Sequence, residues 1–283
     1  MTSDMRGQGS VEGTAPSEET KPEIAVRPDH LFRVQTIAAD AATSTAVMDI
    51  GPWLHGLDGN YAHGSLGVLA DIVFGHSVFV AAQPHVRAVT TELLLEFCDP
   101  VTSAGGVLTA EGTTMHVGKE YGAGAGVIRA EDGTAIATGM VRLHFFPGER
   151  IGPARAPASR ADLDRAPHPL RVLDMDLESR RDAADLRVRI TREICNPGGG
   201  IHGGISVWLS ELAAAEAVGA ASERLRPTSL HITYLRHSPV DTSVTFAARV
   251  EHRTNRSAVV RVVATRENGG VGTEATIVYR KVE

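Results

Sequence analysis

Asn196-Pro197-Gly198-Gly199-Gly200-Ile201-His202-Gly203-Gly204-Ile205-Ser206-Val207-Trp208-Leu209-Ser210-Glu211 is the stretch on which the fold of this chain turns. Its second half carries apolar residues at Ile205, Trp208, Leu209 and Leu212, a 3.6-residue period that predicts a helix with one apolar stripe. Its first half is a glycine-rich turn feeding that helix. The first N–H groups of a helix have no intrahelical partners, and the positive end of the helix dipole points the same way. Such a terminus suits an anion, or a carbonyl oxygen that becomes negative during a reaction. Gly203 and Gly204 let a substrate approach the backbone closely. Asn196 either orients a water or holds the turn. Glu211 lies well around the helix from the apolar stripe, so by pattern alone it faces either water or a site.

The same arrangement occurs earlier in the chain. Gly64-Ser65-Leu66-Gly67-Val68-Leu69-Ala70-Asp71 aligns with Gly204–Glu211 at an offset of 140, and Leu66, Leu69, Ala70 and Val73 repeat the stripe. Thr90–Pro100 aligns with Ser229–Pro239 at 139, and the turn Glu131-Asp132-Gly133 with Asn268-Gly269-Gly270 at 137. A near-constant offset across three elements predicts a duplicated domain. Each copy opens with a strand region, Phe32–Ile50 or Val172–Thr191, followed by the turn, one helix and a series of strands. In the second copy these strands are expected over Ser229–Arg236, Val244–His252, Ala258–Thr265 and Glu274–Lys281. One helix followed by an antiparallel meander is an α+β layout.

The remaining sequence sets the boundaries. Residues 1–27 are poor in large apolar residues and are expected to form a disordered tail. Residues 148–168, rich in Pro, Ala and charge, are expected to form a linker. The two domains then span 28–147 and 169–283 of a 283-residue chain. A net charge of −6 and 5% aromatic residues argue against binding nucleic acid or anionic membranes. No apolar run is expected to reach the roughly 18 residues of a spanning helix, and no secretory signal is expected. Two cysteines, Cys98 and Cys195, are expected to be reduced thiols in a cytoplasmic protein.

Asn196, His202, Gly203 and Gly204, with a carboxylate (Glu211) nine residues after the histidine, resemble the hotdog-fold thioesterases of the PaaI-like and 4-hydroxybenzoyl-CoA thioesterase type. Ser229-Leu230-His231-Ile232-Thr233-Tyr234-Leu235 resembles the strand that follows the helix in that family. The resemblance covers both copies and implies a tandem, or double, hotdog. It implies hydrolysis of an acyl-CoA thioester, with coenzyme A as part of the substrate and no cofactor or metal, and a homo-oligomer of such chains. It also implies sites shared between repeats. Site one combines Asn196, His202 and Gly203 with Asp71, and places the hydroxyl of Thr90 near that carboxylate; Gly204 is implied to contact substrate. Site two combines the first turn with Glu211 and Ser229. That turn departs from the pattern: at offset 140 the histidine position is Ala62 and the asparagine position is Gly56, with His63 where glycine is expected. A one-residue shift restores His63 but leaves Asp71 eight residues on. Site one is therefore expected to be active and site two degenerate. Asp71 would serve as general base or as nucleophile. His202 either takes part directly or only holds the turn.

Two other readings stay open: an acyl-CoA-binding or regulatory protein without turnover, and a hotdog hydratase or dehydratase. Ala70, Val73, Ala213 and Ala214 leave the acyl length undetermined. Further motifs fail on inspection. His63-Gly64-Ser65-Leu66-Gly67 lacks the leading glycine of a nucleophile elbow. The 12 histidines include no H-E-x-x-H spacing. Gly122-Ala123-Gly124-Ala125-Gly126 is expected to be a flexible strand connection rather than a phosphate loop. Arg142, Arg236 and Arg256 are weak candidates for coenzyme A phosphates.

Overall fold

The computed structural model describes residues 26–82, 86–148, 159–219 and 225–281. Most of the tail, 1–25, and residues 149–158 of the expected linker lie outside these. The first repeat runs α1 (Pro28–Leu31), β1 (Val34–Ala39), β2 (Thr43–Asp49), a 3₁₀ turn at His63–Ser65 leading into α2 (Leu66–Ala81), then β3 (Val86–Phe97), β4 (Val107–Val117), β5 (Tyr121–Arg129) and β6 (Ala135–Pro147). After α3 (Arg160–Arg165) the second repeat follows with β7 (Asp174–Arg180), β8 (Ala183–Arg189), α4 (Gly203–Val218), β9 (Leu225–Tyr234), β10 (Ser243–Arg253), β11 (Ser257–Arg266) and β12 (Val271–Lys281).

The twelve strands of the described residues form one antiparallel sheet, in the order β1-β2-β4-β5-β6-β3-β9-β12-β11-β10-β8-β7. Each half contributes six strands, and the halves join where β3 pairs with β9, from Glu92↔Thr233 to Glu96↔Ser229. The strands alternate as a half-buried sheet requires. On β11, Ala258, Val260, Val262 and Ala264 are buried, while Arg261 between them pairs with Glu274 on the outer face.

The two long helices lie on the buried face of the sheet and pack on one another. They are covered well beyond the single stripe that periodicity predicts. In α2, Gly67, Val68, Phe74 and Ser77 are buried as well as the stripe. α4 of the second repeat covers Gly67 and Val68, and the first repeat's own sheet covers Phe74. The crossing is close because glycines meet there: a Cβ at Gly204 would stand 2.4 Å from Gly67 O, and one at Gly67 would stand 2.6 Å from Val207 Cβ. This crossing sets the N-termini of α2 and α4 side by side.

Two sequence expectations are corrected. Residues His63–Ala81 are long and apolar enough to span a membrane by length and composition, and about two thirds of them are buried inside the protein. The Gly122–Gly126 segment is not a flexible connection but lies within β5. Its glycines let α2 rest directly on the sheet: a Cβ at Gly124 would lie 2.1 Å from Phe74 O, and one at Gly126 would lie 2.2 Å from the Phe74 ring. Within the expected linker, α3 has a Ser159–Asp162 capping box and buries Leu163. The Arg33 guanidinium donates to Ala166 O and Pro167 O, fastening this segment to the first repeat.

Candidate active site

The Asn196–His202 turn is built largely by its own polar groups. Asn196 Oδ1 accepts from the Gly198 N–H at 2.9 Å and the Gly200 N–H at 3.4 Å, so this side chain holds the turn. Gly199, at φ +77°, occupies the left-handed region that favours glycine. A Cβ at Gly200 would stand 2.2 Å from the His237 ring, so only glycine lets the turn lie against His237. The His202 N–H donates to Ile194 O at 2.9 Å, which sets the entry into α4.

His202 is the N-cap of α4, and its Nδ1 accepts from the Gly204 N–H at 3.1 Å. Asp71 reaches the same terminus from α2: its Oδ2 accepts from the Gly204 N–H at 3.2 Å, and its Oδ1 accepts from Thr90 Oγ1 on β3 at 2.9 Å. His202 Nδ1 also lies 3.5 Å from Asp71 Oδ2. In the capping tautomer this nitrogen carries no proton and gives Asp71 no hydrogen bond. Both side chains retain some solvent access, 10% for Asp71 and 13% for His202. A Cβ at Gly203 would stand 2.6 Å from Asp71 Oδ2, so the carboxylate lies across the open face of that glycine. The Gly203 N–H itself has no hydrogen-bond partner among the described residues. Asp71, Thr90, His202, Gly203 and Gly204 therefore come together, with Asn196 as the brace of the turn.

The counterpart across the two repeats is different. Backbone bonds show which residues correspond: Gly56 N→Asn60 O matches Asn196 N→Gly200 O, and Ala62 N→Leu54 O matches His202 N→Ile194 O. The offset is thus 140 throughout the turn. Ala62 stands where His202 does, and His63 stands where Gly203 does. Glu211, only 4% exposed, accepts from the His63 N–H at 3.1 Å and from the Gly64 N–H. Glutamate's extra methylene carries its two oxygens onto both amides, whereas Asp71 takes only one. Burial pushes the Glu211 carboxyl up to about 7 against the pull of those two donors. The His63 ring sits between Tyr61 and Phe97, at centroid distances of 5.2 and 5.3 Å. Among the described residues its ring nitrogens have no hydrogen-bond partner, and at 3.9 Å from Glu211 Oε1 the Nδ1 is beyond reach. Burial, with Arg226 nearby, pulls it down to about 4, so the ring is neutral at neutral pH.

The strands use a different offset. β3 bulges between Thr90 and Glu92, and β9 skips one residue between Pro227 and Ser229, which matches Thr91 with Thr228 at 137. Cys98 N→Ile136 O and Leu235 N→Gly272 O repeat the relation one turn on. Thr90 therefore corresponds to Pro227, not to Ser229. Ser229 makes no hydrogen bond to Glu211 among the described residues; it pairs with Glu96 in the central ladder. Among the described residues no hydroxyl donates to Glu211, and proline occupies the position from which Thr90 donates to Asp71.

One group near site one escaped the sequence reading. Tyr234, at the end of β9, donates its hydroxyl to Gly203 O at 2.9 Å. The 139 offset hid its counterpart. At 137 that residue is Phe97, which has no hydroxyl. Arg142 lies beside Glu92, and Arg236 donates to Val271 O. Among the described residues no three His, Cys, Asp or Glu groups converge as a metal site.

Solved structures share this architecture. An acyl-CoA thioesterase II from Mycobacterium marinum superposes with a TM-score of 0.61 at 11% identity, covering 90% of this chain and 98% of its own. A tesB protein from Mycobacterium avium subspecies paratuberculosis gives 0.64 at 10% identity, with 90% and 98% covered. An acyl-ACP thioesterase from Bacteroides thetaiotaomicron gives 0.55 at 12% identity, with 84% and 98% covered. The fold is a double hotdog. Residues 198–273 of this double hotdog match the family model described as thioesterase superfamily. That span begins in the glycine turn and includes α4 and most of the second sheet half. No curated protein matches the sequence.

Proposed function

We propose that the protein is an acyl-CoA thioesterase with one working site, formed by Asp71 and Thr90 of the first repeat and by Asn196, His202, Gly203 and Gly204 of the second. The observation that carries this reading is the Gly203 N–H, which has no partner among the described residues and belongs to a helix terminus facing Asp71. The thioester carbonyl oxygen would accept this N–H, and the α4 dipole would stabilise the negative charge that develops there. Asp71, oriented by Thr90 and Gly204, would take a proton from water as that water attacks the carbonyl carbon. The C–S bond then breaks, its electron pair leaves on sulfur, and the released thiolate is protonated. Direct attack by Asp71, with an anhydride intermediate hydrolysed by water, uses the same oxyanion donor.

Site two is assigned no turnover, because Glu211 already occupies the His63 amide, the counterpart of the Gly203 amide that would hold an oxyanion. Release of free thiol from short, medium, long and aromatic acyl-CoAs tests the reading. Turnover lost in Asp71→Asn and kept in Glu211→Gln supports it. Saturable coenzyme A binding without release from any of these substrates would establish the binding-protein reading instead.

A further inference from the structure

We propose that Tyr234 is a positioning residue for hydrolysis at site one, acting through the Gly203–Gly204 peptide. This rests on the assignment of that site to thioester hydrolysis. The Tyr234 hydroxyl donates to the carbonyl of this peptide at 2.9 Å. The N–H of the same peptide, Gly204 N, donates to Asp71 Oδ2 at 3.2 Å. One rigid, planar amide therefore joins the tyrosine to the carboxylate. Donation to its oxygen polarises the amide and strengthens its N–H as a donor. It also fixes the rotation of the peptide at the start of α4, where two successive glycines have no side chains to restrain it.

The contrast between the repeats supports the assignment. At the matching position the first repeat has Phe97, which packs its ring edge against His63 at 5.3 Å. There the phenol is absent, the glycine is a histidine, and the threonine is a proline. The three differences fall together on the side where the carboxylate has taken both amides. Tyr234 is also held as a donor: burial, and then the Asp71 carboxylate, raise its phenol well above the ordinary value.

Tyr234→Phe is the test, and Phe97 shows that the fold accepts phenylalanine at this position. The variant should lower kcat about fivefold to tenfold, the cost of one hydrogen bond. KM should stay within about twofold, because the interaction serves the reaction rather than substrate binding. Thermal unfolding reports whether the variant folds. Should it not, 3-fluorotyrosine incorporated at position 234 keeps the ring and alters only the acidity of the hydroxyl, and kcat should change at constant KM. An unchanged kcat in a folded Tyr234→Phe, or with the fluorinated residue, overturns the proposal. Loss of turnover in Asp71→Asn alongside that result would leave the site assignment standing. Full turnover in Asp71→Asn would instead overturn the site itself.

Discussion

The backbone N–H of His63 donates to Glu211 Oε1 at 3.1 Å. At the matching terminus of the second repeat, the Gly203 N–H has no such acceptor among the described residues. One methylene of side-chain length, glutamate against aspartate, separates a terminus closed by its own protein from one open to a substrate.

Asp71→Asn keeps the shape of the side chain and its contact with Thr90 but removes the base. Turnover should fall by about 10² or more, with the thermal midpoint little changed. Glu211→Gln should leave turnover within a few-fold of the parent. Thiol-release kinetics on both variants make the comparison, and the opposite ranking would transfer the active site to the second terminus.

Thr90→Val removes the hydroxyl that donates to Asp71 at 2.9 Å and keeps the β-branched shape that the strand favours. A hydrogen bond to a charged group contributes about 1.5–3 kcal/mol, so kcat should drop roughly tenfold or more. Steady-state kinetics read the effect directly. Ser229→Ala, made on the corrected offset, should leave kcat unchanged.

Stability against pH should expose two opposed titrations. Glu211 is raised to about 7 from 4.5, so the folded state binds its proton more tightly, and this contribution to stability is lost as pH rises from about 4.5 through 7. His63 is lowered to about 4 from 6.5, so its contribution is lost as pH falls from about 6.5 through 4. The two slopes offset each other between about 4.5 and 6.5. Glu211→Gln should therefore make the thermal midpoint climb with pH across that window. His63→Gln should make it fall. Flat profiles in both variants would contradict the burial argument.

Gly124→Ala places a methyl 2.1 Å from the Phe74 carbonyl, which is backbone and has nowhere to move without α2 lifting off the sheet. The expected cost is about 1–3 kcal/mol or more, from overpacking. Denaturant unfolding measures it. An alanine tolerated there would mean that α2 does not rest on β5.

Much of this protein was legible in its sequence. The 3.6-residue stripes, the glycine turns, the β-branched strands and the near-constant offset all depend on local periodicity, and they yield the duplicated helix-and-sheet layout. The turn from Asn196 to Gly204 announces an open helix terminus, because glycine and capping preferences act over a few residues. What periodicity does not determine is what lies on the far side of an element. Glu211 and Asp71 stand at equivalent helical positions, yet one is sealed in by the first repeat and the other keeps an opening; only the crossing of α2 over α4 decides this. The strand bulges that make Thr90 the counterpart of Pro227, and Phe97 that of Tyr234, are fixed by hydrogen bonds between strands far apart in the chain. A shift of two residues in the offset leaves the polar–apolar alternation intact, so the sequence pattern could not detect it. The glycines of β5 became intelligible only once α2 was seen to rest on them, since close packing is a property of two surfaces and the sequence presents one at a time.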